Sequence, residues 1–292
     1  MAKRRRLDLK KTLFLLPNMI TLSSIFCGFV SIRLSASATG EDDYYKAALL
    51  IVFAMFFDIL DGRVARATKT QSAFGLQIDS LADVISFGVA PAMLVYQWTL
   101  NRLDSSGFPL GLIVSFVFIA CGAVRLARFN VLSMGEQGKP SKPGKYIVGL
   151  PIPGAAGILV SIIVANHAAA GVLGGVEYVW ALFAVTVGLS FLMVSTIRFR
   201  SFKDVKLNAR TVLLVTAAVG SSAVISFKTK PQFVLVWLLG FYILMGIFES
   251  LWQLPGRLRE RAAMARQAGI SDHPPADPAA HPEPPKPPAR PV

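Results

Sequence analysis

Charge, cysteine and histidine are all scarce in this 292-residue sequence, and each scarcity argues against a class of protein. Charged residues make up 16% of the chain, whereas soluble domains carry about 25%, so a soluble globular enzyme is disfavoured. The two cysteines, Cys27 and Cys121, are too few for a disulfide scaffold and lie within apolar runs. The three histidines, His167, His273 and His281, lie near a predicted helix end or in the C-terminal tail, which argues against histidine acid–base chemistry.

Hydrophobic residues are abundant instead. They account for 53% of the chain, and the mean hydropathy is +0.54. A bilayer core requires about 20 apolar residues in helical form. Eight runs approach this length, at residues 14–34, 45–62, 76–99, 108–129, 147–169, 177–197, 211–227 and 232–252. The sequence therefore predicts an all-α polytopic membrane protein with about eight transmembrane helices.

The formal net charge is +13, and its distribution favours membrane lipid over nucleic acid as the partner. Of the 30 Lys and Arg residues, 23 lie before the first run, after the eighth run, or in the connections after the second, fourth and sixth runs, and Arg125 and Arg128 at the end of the fourth run bring the number on this side to 25. Cytoplasmic segments of membrane proteins carry the excess of Lys and Arg. Both termini are therefore predicted to be cytoplasmic, in agreement with an even number of spans.

Three segments are predicted along the chain. Residues 1–12 form a basic N-terminal segment, and residues 13–254 form the transmembrane domain. Residues 255–292 form a basic cytoplasmic tail. Nine prolines between residues 271 and 292 prevent helix formation there, so the tail is expected to be disordered.

Four aspartates interrupt the apolar pattern. Asp58 and Asp61 are predicted to end the second helix, and Asp79 and Asp83 to begin the third. Each carboxylate inside a membrane helix costs about 2.5–3.5 kcal/mol on insertion scales. Spacings of three and four residues place each pair on one helix face. Because the intervening connection, Gly62–Thr70, is predicted to be cytoplasmic, both pairs can converge near the cytoplasmic surface.

Four neighbouring carboxylates repel one another unless protons or cations neutralise them. Oxygen ligands select hard ions, and four shared carboxylates suit two divalent cations, Mg²⁺ or Mn²⁺, about 3.5–4 Å apart. Ion pairing with Arg63 and Arg66 is an alternative, but it accounts for one aspartate better than for four. Arg66 can also form a bidentate contact with a phosphate. Gly62 and Gly75 would let a substrate approach the backbone closely.

Residues 58–83 read DILDGRVARATKTQSAFGLQIDSLAD, which is the pattern D-x2-D-G-x2-A-R-x8-G-x3-D-x3-D. This pattern resembles the signature of the CDP-alcohol phosphotransferase family at every defined position. The resemblance implies an integral membrane enzyme that moves a phosphatidyl or related group from a CDP-activated lipid to an alcohol and releases CMP. It also implies CDP-diacylglycerol as the lipid substrate and a homodimeric assembly.

The same resemblance implies roles for individual residues. Asp58 would bind both metals, Asp61 and Asp79 would complete the ligand set, and Asp83 would be both a ligand of the second metal and the general base. The positions implied to contact the CDP-lipid are Asn18, Thr21, Gly62, Ala65, Arg66, Ser72 and Gly75.

Further segments are similar to those of the membrane-integral branch of the family that uses L-serine as the acceptor. They cover residues 17–32, 81–92, 121–131, 149–157 and 194–203. L-Serine is therefore the implied acceptor, and its carboxylate requires a cation in the pocket. The candidate residues for this pocket are Arg125, Arg128 and Asn130, with Arg198 and Arg200 as second candidates.

Two alternatives stay open from the sequence. The same transfer could use glycerol 3-phosphate, inositol, inositol phosphate or choline as the acceptor. An ion or solute transporter can also contain intramembrane aspartates, but transport folds often repeat their motifs near the membrane midplane. This sequence contains one aspartate motif, placed toward one membrane face. By resemblance, the expected location is the bacterial inner membrane, with the active site facing the cytoplasm.

Overall fold

The computed structural model describes residues 9–70, 72–105, 107–133, 146–169 and 174–200, together with helical residues at 222, 233–234, 236–241 and 244. Helices dominate this part of the chain. In chain order they are α1 (Leu9–Ala36), α2 (Glu41–Thr68), α3 (Ala73–Asp83), α4 (Ala90–Trp98), α5 (Leu110–Ser133), α6 (Ile152–Ala168) and α7 (Val179–Val194). A π-helical turn, Val84–Val89, joins α3 to α4, and single 3₁₀ turns occur at Leu100–Leu103 and Val176–Tyr178.

Four helical segments in the described part of the chain are long and apolar enough to cross a membrane. They are Leu16–Ala36, Ala73–Trp98, Leu110–Val131 and Val176–Val194, which match the first, third, fourth and sixth predicted runs. The helix α6 matches the fifth run but is shorter, at 17 residues. The seventh run lies outside the described residues apart from residue 222, and the described parts of the eighth run are helical.

The helix α2 lies antiparallel to α1. The Ser31 hydroxyl donates a hydrogen bond to the Ala47 carbonyl at 2.8 Å. Farther along the pair, the Thr21 hydroxyl donates to Asp61 Oδ2 at 2.5 Å. The helix α2 is as long as α1, at 28 residues, but it is not among the four segments named above, so the second predicted span stays a prediction.

The prediction that α2 ends at Asp61 is wrong, because the helix continues for about two turns to Thr68. It ends where Lys69 takes a left-handed conformation, with φ of 55°. The N–H groups of Lys69 and Thr70 then donate to carbonyls of the preceding turn. Between Arg63 and Thr68 the sequence has no glycine or proline to stop the helix earlier. The segment predicted as a connection is therefore mostly helical.

The third span starts earlier than predicted because Ser72 caps it. Its Oγ accepts a hydrogen bond from the Gly75 N–H at 3.0 Å, which satisfies one of the free donors at the start of α3. Asp79 therefore lies in the second turn of α3 and Asp83 is its last residue, so neither aspartate begins the helix.

The same span changes from α to π form immediately after Asp83. The N–H of Ala90 donates to the carbonyl of Ile85, five residues back, as in a π-turn. Pro91 accounts for the wider turn, since in an uninterrupted α-helix its ring would clash with the carbonyl of Phe87.

Two short antiparallel strand pairs depart from the all-α prediction. The strands β1 (Asp104–Ser105) and β2 (Phe108–Pro109) form a hairpin before α5. The strands β3 (Tyr146–Val148) and β4 (Arg198–Arg200) join the segment before α6 to the segment after α7. The fifth and sixth predicted helices are therefore shorter than the runs at 147–169 and 177–197.

Gly149 explains why α6 begins at Ile152. Its φ of +77° turns the chain sharply after β3, a conformation that favours glycine. The Gly149 N–H donates to the Ile197 carbonyl at 2.8 Å, and the Leu150 N–H donates to the Leu192 carbonyl at 3.0 Å. These bonds tie the start of α6 to the end of α7.

At the end of the helices opposite the four aspartates, a polar group that we term the Glu41 network joins three helix ends. The Trp98 indole N–H donates to Glu41 Oε2 at 3.2 Å, and the Asn166 amide donates to the same oxygen at 2.7 Å. The side-chain oxygen of Asn166, Oδ1, accepts a hydrogen bond from the Gly174 N–H at 2.9 Å. The network thus fixes the start of α2 against the ends of α4 and α6.

The helix α6 supplies much of the apolar core. Ile152, Leu159 and Ile163 are almost completely buried. They belong to one apolar cluster with Ile51 of α2 and Phe87 of the π-turn. Burial of each such side chain contributes about 1.5–3 kcal/mol. This core supports the helices that carry the aspartates.

Candidate active site

Three of the four aspartates converge between α2 and α3. Each of Asp58, Asp61 and Asp79 offers a carboxylate oxygen, and these oxygens all lie within 4.8 Å of one another. Asp61 is only 5% exposed, and the other two side chains are half-buried. The convergence predicted from their spacing is therefore observed for three of the four carboxylates.

Asp83 lies deeper, one turn beyond Asp79. Its carboxylate is in hydrogen-bond contact with that of Asp58 and lies near the guanidinium of Arg125. Its Oδ1 atom is buried and has no hydrogen-bond partner among the described residues. A buried carboxylate oxygen without a partner is costly unless a ligand or proton satisfies it. Asp83 thus joins the other three aspartates and keeps one oxygen available.

Thr21 contacts the buried aspartate of α2. The hydroxyl lies 2.5 Å from Asp61 Oδ2 and 3.1 Å from the Pro17 carbonyl within its own helix. A hydrogen bond to a carboxylate fixes which oxygen lone pairs remain available to a cation. The structure therefore places Thr21 in contact with the aspartate cluster.

Asn18, Ser72 and Gly75 lie together at the start of α3. A Cβ atom added to Gly75 would lie 3.2 Å from Ser72 Oγ and 3.8 Å from Asn18 Oδ1. Ser72 is exposed, while Asn18 and Gly75 are half-buried. Asn18 comes from α1, whereas Ser72 and Gly75 come from the start of α3. These three predicted positions form one polar group.

Gly62, Ala65 and Arg66 occupy the last two turns of α2. The Arg66 side chain folds back along the helix, and its NH1 atom lies 3.5 Å from the Cβ position of Gly62. Arg66 is exposed, and no carboxylate among the described residues forms an ion pair with it. Its guanidinium is therefore available to an anion next to Asp61.

The three predicted acceptor-pocket residues diverge in their contacts. Arg125 of α5 is 7% exposed and interacts electrostatically with Asp83. The Asn130 amide donates to Ser80 Oγ at 2.9 Å, so it reaches the helix that carries the aspartates. Arg128, by contrast, donates to three backbone carbonyls near β3 and the end of α7. The side chains of the second candidates, Arg198 and Arg200, lie outside the described residues.

Two features of the site region are missing from the sequence-based predictions. The contact between Asn130 and Ser80 was only weakly indicated by the sequence, since Ser80 lies between two of the aspartates. The β3–β4 pair was not indicated by the sequence, because its strands are 3 residues long and lie more than 40 residues apart in the chain. Arg128 joins β3 to the end of α7, and its charge suits the carbonyl-rich end of that helix.

The donor set fits a hard divalent cation. All converging groups are carboxylates, and no cysteine or histidine lies among them. Oxygen ligands of this kind suit Mg²⁺, Mn²⁺ or Ca²⁺ better than softer metals. The exposed guanidinium of Arg66, which lies beside Gly62 and next to Asp61, also provides for an anionic, phosphate-containing ligand. The cluster can therefore hold a metal beside a phosphate group.

Comparison with known proteins agrees with this chemistry. The family model for CDP-alcohol phosphatidyltransferases matches residues 14–192. The chain therefore belongs to this family of membrane-integral transferases, and the segment matched contains every aspartate described above.

Several curated relatives carry one name, CDP-diacylglycerol–serine O-phosphatidyltransferase. A protein of Helicobacter pylori (strain 26695) is 38% identical over 240 residues, which cover 82% of this chain and 92% of the relative. A protein of Methanocaldococcus jannaschii is 35% identical over 185 residues, covering 63% of this chain and 73% of the relative. A Bacillus subtilis protein is 34% identical over 188 residues, covering 64% and 91%.

Proposed function

We propose that this protein is a phosphatidylserine synthase, which transfers the phosphatidyl group of CDP-diacylglycerol to the hydroxyl of L-serine and releases CMP. The convergence of carboxylate oxygens from Asp58, Asp61 and Asp79 within 4.8 Å is the observation that carries the proposal. Relatives that share the chain over most of their length and bear this activity in their names support the choice of acceptor.

Two divalent cations, Mg²⁺ or Mn²⁺, are proposed as the resident metals. Asp58 would serve both ions, with Asp61, Asp79 and Asp83 completing the ligand set. Bound there, the ions would supply charge neutralisation for the pyrophosphate and an in-line orientation for its phosphorus. The enclosed position of Asp61 and Asp83 suits this role, because burial of carboxylates strengthens their interaction with a cation.

Asp83 is proposed as the general base. Its Oδ1 atom accepts the proton of the serine hydroxyl while the hydroxyl oxygen bonds to the phosphorus that carries diacylglycerol. The bond from this phosphorus to the CMP oxygen breaks, and CMP leaves. Because Asp83 Oδ1 has no hydrogen-bond partner among the described residues, its lone pairs are available for this proton.

The CDP-lipid is proposed to lie along the predicted contact residues. Arg66 offers its guanidinium to the diphosphate and stabilises the charge that develops on CMP. Gly62 and Ala65 leave room beside it, and Asn18 with Ser72 offers polar atoms to the cytidine next to Gly75. Thr21 acts through Asp61, whose carboxylate it contacts.

We place the serine pocket between α3 and α5. Arg125 is close enough to Asp83 to interact with it electrostatically, so a serine carboxylate held by Arg125 would leave the hydroxyl near the base. Asn130, which contacts Ser80, lines the same side of α3. Arg128 is assigned to binding the β3–β4 pair, because its guanidinium already donates to three carbonyls.

The proposed setting is the bacterial inner membrane, with eight spans, both termini in the cytoplasm and the aspartates facing the cytoplasm. The acyl chains of the substrate would then stay in the bilayer while serine and CMP exchange with the cytoplasm. A homodimer is proposed from family membership, and small residues such as Gly154 permit close helix packing.

The test is an acceptor panel with the purified full-length protein. CMP release is measured from CDP-diacylglycerol and Mn²⁺ with L-serine, glycerol 3-phosphate, inositol or choline as the only acceptor, each with and without EDTA. We expect release with L-serine alone and its loss with EDTA. Turnover with a different acceptor would redirect the proposal within the family, and turnover that resists chelation would contradict the metal assignment.

A further inference from the structure

One face of α1 carries small polar residues that contact both helices of the aspartate cluster. Thr21 contacts Asp61 of α2, as described above. One turn farther along α1, the Ser24 hydroxyl lies 3.3 Å from Ser86 Oγ, and Ser86 Oγ donates to the Ser24 carbonyl at 3.0 Å. Both serines are almost completely buried, at 1% and 0% exposure. The mechanism above uses neither of them.

From these contacts we propose that Ser86 is a positioning residue for the metal ligands. By fastening the π-turn to α1, it fixes the rotation of Asp79 and Asp83 about their helix axis relative to Asp58 and Asp61. The inference rests on the metal site proposed above and extends it to residues outside the ligand set.

Close packing makes this fastening tight. A Cβ atom added to Gly28 of α1 would lie 2.9 Å from the Cα atom of Ser86, so the two backbones approach as closely as glycine permits. A hydrogen bond between helices at such a distance allows little rotation or sliding. Ser86 is three residues beyond Asp83, so movement of its turn is transmitted to the aspartate directly.

The π-turn makes the rotation critical. An α-helix turns about 100° per residue, and a π-turn accommodates one additional residue. The π-turn therefore rotates the aspartate face of α3 relative to α4 by about 100°, compared with an unbroken α-helix. Pro91 favours the wider turn but does not select its orientation. The hydrogen bonds between Ser86 and Ser24 fix the orientation of the turn.

Helix α1 thereby acts as the common reference for both aspartate pairs. Thr21 holds Asp61 of one pair, and Ser24 holds the turn that follows the other pair, with the two α1 residues on adjacent turns of the same face. Loss of the Ser86 contact should therefore disturb the geometry between the pairs more than the geometry within either pair.

The proposal is tested with full-length Ser86→Ala, and with Ser190→Ala as the matched control. Ser190 is 2% exposed, and its hydroxyl donates to the Thr186 carbonyl within α7, so the control removes a buried serine hydroxyl away from the cluster. Binding of Mn²⁺ alone is followed by the loss of the free-ion EPR signal. CMP release at saturating Mn²⁺ gives kcat, and variation of CDP-diacylglycerol gives KM.

For Ser86→Ala we expect Mn²⁺ binding and kcat each to fall about tenfold, as for one lost hydrogen bond, with KM for CDP-diacylglycerol unchanged. Ser190→Ala should leave all three unchanged. Ser24→Ala should show a smaller loss, because the Ser86 bond to the Ser24 carbonyl persists; it also provides the test if Ser86→Ala does not accumulate. Equal behaviour of Ser86→Ala and Ser190→Ala would overturn the inference. Failure of the wild-type protein to bind Mn²⁺ would instead overturn the proposed function.

Discussion

At the scale of single residues, the aspartates show how a costly group is retained. Each carboxylate has a different environment: Asp61 accepts from Thr21, Asp58 contacts Asp83, and Asp83 keeps one oxygen without a partner among the described residues. The sequence predicted that these side chains would converge, because their spacing fixed the helix faces. It did not predict the contacts from α1 and α5, since those depend on tertiary packing rather than on local spacing.

Asp83→Asn should separate catalysis from binding. The amide retains the size of the carboxylate and one oxygen, but it cannot accept the serine proton. We expect kcat to fall by about 10²–10⁴-fold, the usual contribution of a general base, while Mn²⁺ and CDP-diacylglycerol still bind. Steady-state CMP release and equilibrium binding on the same preparation provide the measurement. Wild-type kcat in this variant would assign the base to another residue.

Thr21→Val should weaken the metal site without removing a ligand. The valine preserves the shape of the side chain and deletes the hydrogen bond to Asp61. Loss of a group that orients a ligand lowers metal affinity by about 10–100-fold. Thr21→Ser, which keeps the hydroxyl, is the control and should bind Mn²⁺ like the wild type. A titration that cannot distinguish the two variants would show that Thr21 does not orient Asp61.

At the scale of elements, long apolar runs were predictable and their interruptions were not. The runs that correspond to α1 and α5 agree with the observed helices because bilayer thickness dictates their length. The extension of α2 past Asp61, the π-turn before Pro91 and the β3–β4 pair all depend on where backbone hydrogen bonds find partners. Apolar periodicity carries no information about those partners.

Gly149→Ala should detach α6 from α7. The backbone φ of +77° is unfavourable for alanine, and the new Cβ would contact the Met193 carbonyl oxygen too closely. The cost should be about 1–3 kcal/mol, seen as a lower melting temperature in detergent. Gly154→Ala is the matched control, because its nearest neighbour, the Leu150 Cδ1 atom, lies at an ordinary 3.8 Å. Equal melting temperatures for the two variants would contradict the role given to Gly149.

At the scale of the whole molecule, the membrane orientation joins the charge pattern to the site. The positive-inside rule predicts that the aspartate end faces the cytoplasm and that the Glu41 network faces the other side. Helical structure alone does not determine which end of the helices faces the cytoplasm. The sequence predicts the orientation through its loops, while the structure shows that the two polar regions lie at opposite helix ends.

Cysteine labelling checks this orientation. With Cys27 and Cys121 replaced by alanine, Asn101→Cys and Arg63→Cys place single thiols at exposed positions near opposite ends of the helices. A maleimide that does not cross membranes should label Asn101→Cys in intact cells and Arg63→Cys only after permeabilisation. The reverse pattern would place the site outside the cytoplasm and would remove the proposed access of serine.

The Glu41 network has a mechanical consequence for the far end of the protein. Because α2, α4 and α6 are bonded together there, their relative tilting must pivot about that end and reach its greatest amplitude near the aspartates. A diphosphate held by divalent cations between Asp58 and Asp79 would restrain this tilting where its amplitude is greatest.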